Sequence, residues 1–314
     1  MEVMNVPADD HDHDHHAPDH WSPRHPLRDA RGGLAGAQLH GRIFVLGGFT
    51  SGFAAALDSV EVRDPNTDTW RRVAPMPTAR GNHAAAAAGG RVYAIGGLVP
   101  VPGQDDATPV AAVEAYEPAA DTWAKVAPLP IPRGGVAAAA VGKRIYVTGG
   151  GDPRVDVYDV AADSWHTAAP MPAARTLLKL IELDGQVYAI GGFDDNGGVS
   201  AVERYDPHHD SWQAVAPMGR PQVKNPGVVT VGRRIVVVGG DADISGDLEI
   251  SEIYDPHTDK WHLLAARLPT ERNSLVAARE RDDVILAIGG FRPQPSEPSP
   301  LALDRVDALR IAHS

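Results

Sequence analysis

Cysteine is absent from the 314-residue chain, which removes disulfides, thiolate metal sites and thiol nucleophiles together. Long apolar runs are also missing. Hydrophobic residues make up 43% of the chain, yet no stretch approaches the ~18 residues needed to cross a bilayer. Basic residues are the minority, 29 against 41 acidic, for a formal net charge of −12. Phosphate binding needs a concentrated cationic face, so nucleic acid is not an expected partner. The N-terminus is acidic and histidine-rich, without the basic and apolar segments of a signal peptide. These features predict a cytoplasmic protein with no membrane partner. No stretch keeps a helical period, which points to an all-β chain.

What is present is repetition. Six tryptophans, Trp21, Trp70, Trp123, Trp165, Trp212 and Trp261, each follow an aspartate by two residues. Six glycine pairs alternate with them, at Gly47-Gly48, Gly96-Gly97, Gly149-Gly150, Gly191-Gly192, Gly239-Gly240 and Gly289-Gly290. The tryptophans are 49, 53, 42, 47 and 49 residues apart, the length of one four-stranded propeller blade.

Residues 80–123 serve as the template. The small residues from Asn82 to Ala88 predict an innermost strand, since strands converging on an axis have room only for short side chains. Arg91 to Ile95 predicts strand two, Val113 to Tyr116 strand three, and the segment around Trp123 an outer strand. Glycine pairs end strand two, where neighbouring blades approach and a positive φ is needed. Tryptophan and tyrosine fill the widening gap between blades.

Closure follows from the ends. The last repeat has Gly289-Gly290 and a strand-three candidate, Val306–Leu309, but no tryptophan after it, whereas Trp21 precedes every glycine pair. Pro26, Leu27 and Arg31 follow Trp21 at the offsets at which Pro75, Met76 and Arg80 follow Trp70. The strand around Trp21 therefore completes the final blade. The expected fold is an all-β, six-bladed propeller of four-stranded antiparallel blades spanning 17–314, preceded by a disordered His/Asp-rich tail, 1–16.

The pattern running from Arg80 through Arg91-Val-Tyr-Ala-Ile-Gly-Gly97 to Tyr116-Glu-Pro-Ala-Ala-Asp-Thr-Trp123 resembles the kelch repeat, over residues 19–310. Arg63 and Leu309 depart from the tyrosines at 116, 158, 205 and 254, and Val223 departs from the arginines at 31, 80, 133 and 175. The resemblance implies ligand binding around the axis, on the face bearing the loops after strand two and the turns into strand one. The copper-radical chemistry of galactose-oxidase-like members needs a cysteine and is excluded. The iron motif of specifier proteins is missing, and ubiquitin-ligase adaptors carry a recruitment domain for which this chain has no room. Sialic-acid mutarotases match in size without a diagnostic residue.

On that face the candidate catalytic residues are His83, Lys224, Asp194 and Asp241. The candidate ligand-binding residues are Asn82, Asn225, Asn273, Ser274, Phe49, Phe193, Phe291 and Arg292. Each has a plainer reading. The recurring arginines are structural, His83 is a packed histidine, Asp194-Asp-Asn-Gly is a turn, Lys224 is a surface lysine, and the phenylalanines form a packed collar. His11, His13, His15 and His16 alternate with carboxylates and are suited to a loosely held divalent metal; otherwise the tail is solvated and no cofactor is expected. The leading expectation is a binding or scaffold module for a protein or peptide. The alternative is a cofactor-independent small-molecule enzyme, an isomerase, lyase or cyclase.

Overall fold

The computed structural model describes residues 20–101, 103, 106–219, 225–240, 249–294 and 299–311. Six four-stranded antiparallel sheets are arranged as a six-bladed β-propeller. From the axis outward, blade 1 comprises Ala35–Leu39, Arg42–Leu46, Val60–Asp64 and Thr69–Val73. Blade 2 comprises Ala84–Ala88, Arg91–Ile95, Val113–Glu117 and Thr122–Lys125. Blades 3 and 4 begin with the inner strands Val136–Val141 and Lys179–Leu183, and blade 5 with Gly227–Val231. The inner strand of blade 2 starts at Ala84, because Asn82 has left the strand with φ 47°.

Blade 6 joins both ends of the chain. Its inner three strands are Val276–Arg281, Val284–Ile288 and Val306–Arg310, and Ser22–Arg24 forms the outermost. Ser22 stands opposite Ala308 and Arg24 opposite Val306. Trp21 is buried in the core between blades 5 and 6, with Leu309, Val236 and Ile285.

Every blade boundary has its own apolar core, such as Phe44, Val62, Met76 and Val92 between blades 1 and 2. Sheet faces carry the burial because each blade is covered on both sides by its neighbours. Outer-strand rings stack within a blade, as Tyr116 and Trp123 do at 5.2 Å between centroids.

The Asp-x-Trp signature is a clamp between blades. Asp121 accepts the amide of Ala74 at 2.8 Å, and the Trp123 indole donates to the carbonyl of the same Ala74 at 2.8 Å. Both polar groups of one residue in the preceding blade are thereby satisfied. The arrangement recurs at Ala127 with Asp163 and Trp165, at Ala169 with Asp210 and Trp212, and at Ala216 with Asp259 and Trp261. A tyrosine five residues before the aspartate donates to the same carboxylate, Tyr116 to Asp121 at 2.7 Å. In blade 1 Arg63 takes that tyrosine's place and donates to Asp68 at 3.1 Å, so the departure preserves the contact. At the seam the indole of Trp21 has no acceptor among the described residues.

Buried arginines hold the turns into the inner strands. Arg31 reaches Glu61 at 2.8 Å and also donates to the carbonyls of Gly47 and Ser59. Arg80 pairs with Glu114, Arg133 with Asp156 and Arg175 with Glu203. A fifth, Arg272, pairs with Asp307. It lies one residue further from its tryptophan than the others, so a fixed offset of ten passes over it. Between blades, the second glycine of a pair donates to the arginine carbonyl of the next blade, as Gly48 does to Arg80 and Gly290 to Arg31. These arginines are structural, each tying a turn to a strand-three carboxylate, although Arg80 Nε and Nη1 and the Nε of Arg133, Arg175 and Arg272 find no acceptor among the described residues.

Candidate functional site

The turns into the six inner strands meet at the axis in a closed hoop of backbone hydrogen bonds. Asn82 donates to Gly33, Gly135 to Asn82, Leu177 to Gly135, Asn225 to Leu177, Ser274 to Asn225 and Gly33 to Ser274, at 2.8–3.0 Å. All six residues have φ between 47° and 65°. Glycine and asparagine tolerate this left-handed conformation. Leu177 and Ser274 adopt it at a cost of about 1–2 kcal/mol each, held by the bonds on either side.

Outside the hoop, over blades 4, 5 and 6, lies a cavity of about 350 Å³. Asn225, Asn273, Ser274, Phe193 and Phe291, all expected on this face, line it together with Phe53, Leu177 and Pro300. The Asn225 amide donates to the Ser274 hydroxyl at 2.5 Å, and that hydroxyl donates to the Asn273 carbonyl oxygen at 2.9 Å. This chain leaves the side-chain oxygen of Asn225 and the side-chain nitrogen of Asn273 unbonded among the described residues. One acceptor and one donor stand beside aromatic walls.

Phe53 was not legible as a site residue. It ends the short turn Ser51–Phe53, with φ 56° and 47% of its surface exposed. Its ring lies 4.8 Å from that of Phe291 and 5.5 Å from that of Phe49. The Gly52 amide donates to Pro300 and the Ala302 amide to the Ser51 hydroxyl, which ties the walls from blades 1 and 6 together. Phe53 thus combines a left-handed backbone with an exposed ring at the edge of the cavity.

The other expected residues are placed differently. Phe49 is buried, its ring so close over Gly81 that a Cβ there would lie 2.2 Å from it. Phe291 covers Gly32 in the same way at 2.4 Å, and of these two rings Phe291 is the one that also lines the cavity. Both form a packed collar, for a steric reason: glycine stands at 32, 81 and 134 where Phe291, Phe49 and Leu98 of the preceding blades press down. Asn82 turns away from the cavity, its side-chain oxygen towards Gly33. Asp194 caps a hairpin turn, accepting the amide of Asn196 at 2.7 Å. Arg292 is exposed in a two-stranded pair with Leu301. The long loop after Gly97 is a second such pair, Leu98–Pro100 with Ala107–Pro109. Lys224, Asp241, His11, His13, His15 and His16 lie outside the described residues.

His83 is buried at the boundary of blades 1 and 2, a position occupied in other blades by Leu34, Val136, Leu178 and Leu275. Neither ring nitrogen has a partner among the described residues. Burial, followed by the charges of Arg80, Lys179 and Arg31, holds its pKa well below the ordinary histidine value. The imidazole is therefore neutral at pH 7 and shut off from the loop face.

Beneath the hoop, the six inner strands enclose an axial cavity of about 350 Å³, walled largely by alanine and valine. Lys179 opens the inner strand of blade 4 and lines this space. The corresponding residues elsewhere are Ala35, Ala84, Ala137, Gly227 and Val276. Burial lowers the lysine's pKa to about 8. Among the described residues no group of three or more histidines, carboxylates or thiols is placed to hold a metal ion, and no helix is long and apolar enough to cross a membrane.

The kelch motif matches at residues 30–77, 79–130, 132–172, 174–219 and 223–266. The sixth blade, divided between the chain ends, is the one left unmatched. Among solved structures, one described as "Structure of YjhT" superposes with a TM-score of 0.74 at 16% identity, covering 88% of this chain and 95% of that one. At that identity the likeness concerns the fold alone, and with 1148 solved chains matching it selects no activity. No curated protein matches the sequence. Five motif matches and a six-fold ring of blades agree: the chain belongs to the kelch-repeat family of β-propellers.

Proposed function

We propose that this propeller is a binding module that takes a segment of a protein or peptide partner on its variable-loop face, at the cavity over blades 4 to 6. The observation that carries the reading is the pairing of an Asn225 acceptor and an Asn273 donor that have no partner among the described residues, their other side-chain atoms being engaged through Ser274. They lie inside a wall of Phe53, Phe193, Phe291 and Pro300. A peptide unit offers the complementary donor and acceptor, and an apolar side chain beside it fills the aromatic recess. Rigid blades with loops of different lengths give the remainder of the face its selectivity.

The enzymatic alternative asks for acid and base groups converging on a substrate. Of the candidates within the described residues, His83 is enclosed between blades and Asp194 is engaged in its own turn. That separation favours binding over turnover.

The test is selection of a random peptide display library on the intact protein. Selected peptides should lose about tenfold or more in affinity for Phe53→Ala and for Asn273→Ala, with melting temperatures unchanged. Peptides that bind both variants as well as the parent, or no selected peptides at all, would remove this assignment.

A further inference from the structure

Lys179 makes no hydrogen bond or ion pair among the described residues, although it projects into the axial cavity and also lines the small void directly under the hoop. The side chain is half-buried and has no ion-pair partner among the described residues, and withdrawing a charge from water without a partner is costly. The five other blades place alanine, glycine or valine at its position, so the fold itself requires nothing basic there. The volume of about 350 Å³ far exceeds that of a single ion.

The walls set the chemistry of an occupant. Ala84–Ala87, Ala137–Ala140, Val228 and Val276 present methyl groups over most of the length. The polar residues among the lining are His83, Lys179, Glu182, Gln38 and Thr230. Of these, Glu182 accepts the amide of Gly185 in its own turn, Gln38 is bonded to the backbone of Arg279, and both nitrogens of His83 are enclosed. One cation without a bonded partner thus faces a bore of mostly small, apolar side chains with polar surface between them. We infer that the axial cavity is a second ligand site, separate from the loop-face cavity, for a small organic monocarboxylate whose carboxylate pairs with Lys179 and whose apolar body lies along the alanine wall.

Sodium butyrate is a suitable probe, with butyramide as its uncharged counterpart and sodium chloride as the ionic control. At about ten times its dissociation constant, butyrate should raise the melting temperature by roughly 3 °C over equal chloride. Butyramide should not, and Lys179→Met should abolish the shift. In the unmodified protein, butyrate should also slow reductive methylation of Lys179, read by peptide mass, which keeps the test independent of how the variant folds. Equal responses to chloride and butyrate, equal responses in Lys179→Met, or unprotected methylation would each overturn the inference. None of these results bears on peptide binding at the loop face.

Discussion

Arg80 and Glu114 face one another at 3.0 Å with neither side chain reaching solvent. The arginine extends from the turn into the inner strand to strand three of the same blade, and four other blades repeat the arrangement. Because both charges are desolvated, breaking the pair from one side leaves an uncompensated ion. Glu114→Ala should cost about 3–5 kcal/mol, while Arg80→Met with Glu114→Leu should cost less than the single change. Thermal unfolding of the single and double variants checks this, and a double variant worse than Glu114→Ala would contradict it.

Steric contact makes a second prediction. Gly81 lies under the Phe49 ring, where a Cβ would sit 2.2 Å from an aromatic carbon. Gly81→Ala should destabilise by about 1–3 kcal/mol through overpacking. The Phe49→Leu background should recover part of that loss. The control is Thr176, which occupies the corresponding position in blade 4, after the glycine-rich turn Gly149-Gly-Gly151 rather than a bulky residue. Thr176→Ala should be close to neutral.

Ring closure is tested by truncation. Removing residues 1–25 strips Ser22–Arg24 from the edge of Val306–Arg310 and exposes an unpaired strand prone to association. Removing residues 1–16 keeps Ser22–Arg24 and its pairing with Val306–Ala308. Light scattering on warming should separate the two truncations, and equal solubility would contradict the closure.

The clamps between blades predict a particular acid response. Asp121 is held below the ordinary carboxylate value by the Ala74 amide and then the Tyr116 hydroxyl, and Asp163 by the Tyr158 hydroxyl and then the Ala127 amide. Depressed carboxylates stabilise the fold fully above the unfolded value of about 3.9. That contribution is lost as pH falls through the lower folded value. Melting temperature should therefore drop below about pH 4. Asp121→Asn with Asp163→Asn should melt lower at pH 7 yet fall less steeply in acid. A slope identical to the parent's would place the acid sensitivity elsewhere.

Lys179 acts in the opposite range. Burial lowers it from 10.5 to about 8, so the unfolded chain binds more protons between those values and stability rises with pH there. Below pH 8 the partly desolvated ammonium is a constant cost. Lys179→Met should therefore melt higher than the parent at pH 7 in carboxylate-free buffer, by an amount on the order of 1–3 kcal/mol after allowance for water in the bore. The variant should also lose the rise between pH 8 and 10.5. A lower melting temperature at pH 7 would show that the charge is already compensated.

Local signals carried the architecture because each blade repeats the same physical problem. Asp-x-Trp marks the clamp on the preceding blade, paired glycines mark the close approach of strand two to the next turn, and the offset from Trp21 to Arg31 marked the chain's two ends as one sheet. Arg272 escaped a fixed spacing because one extra residue precedes it. Lys179 was visible only by aligning the inner strands and noticing a cation in a column of small residues.

The sequence by itself therefore determined the all-β class, the number of blades, the closure and the face on which loops gather, since these depend on repeated short-range patterns. Only the tertiary structure decided which residues meet. It drew Asn225, Asn273, Ser274, Phe193 and Phe291 into one cavity with Phe53, enclosed His83 between blades and aimed Lys179 into the bore. Those outcomes depend on distances between blades and on which side of a turn a side chain leaves, and no spacing along a single chain encodes them.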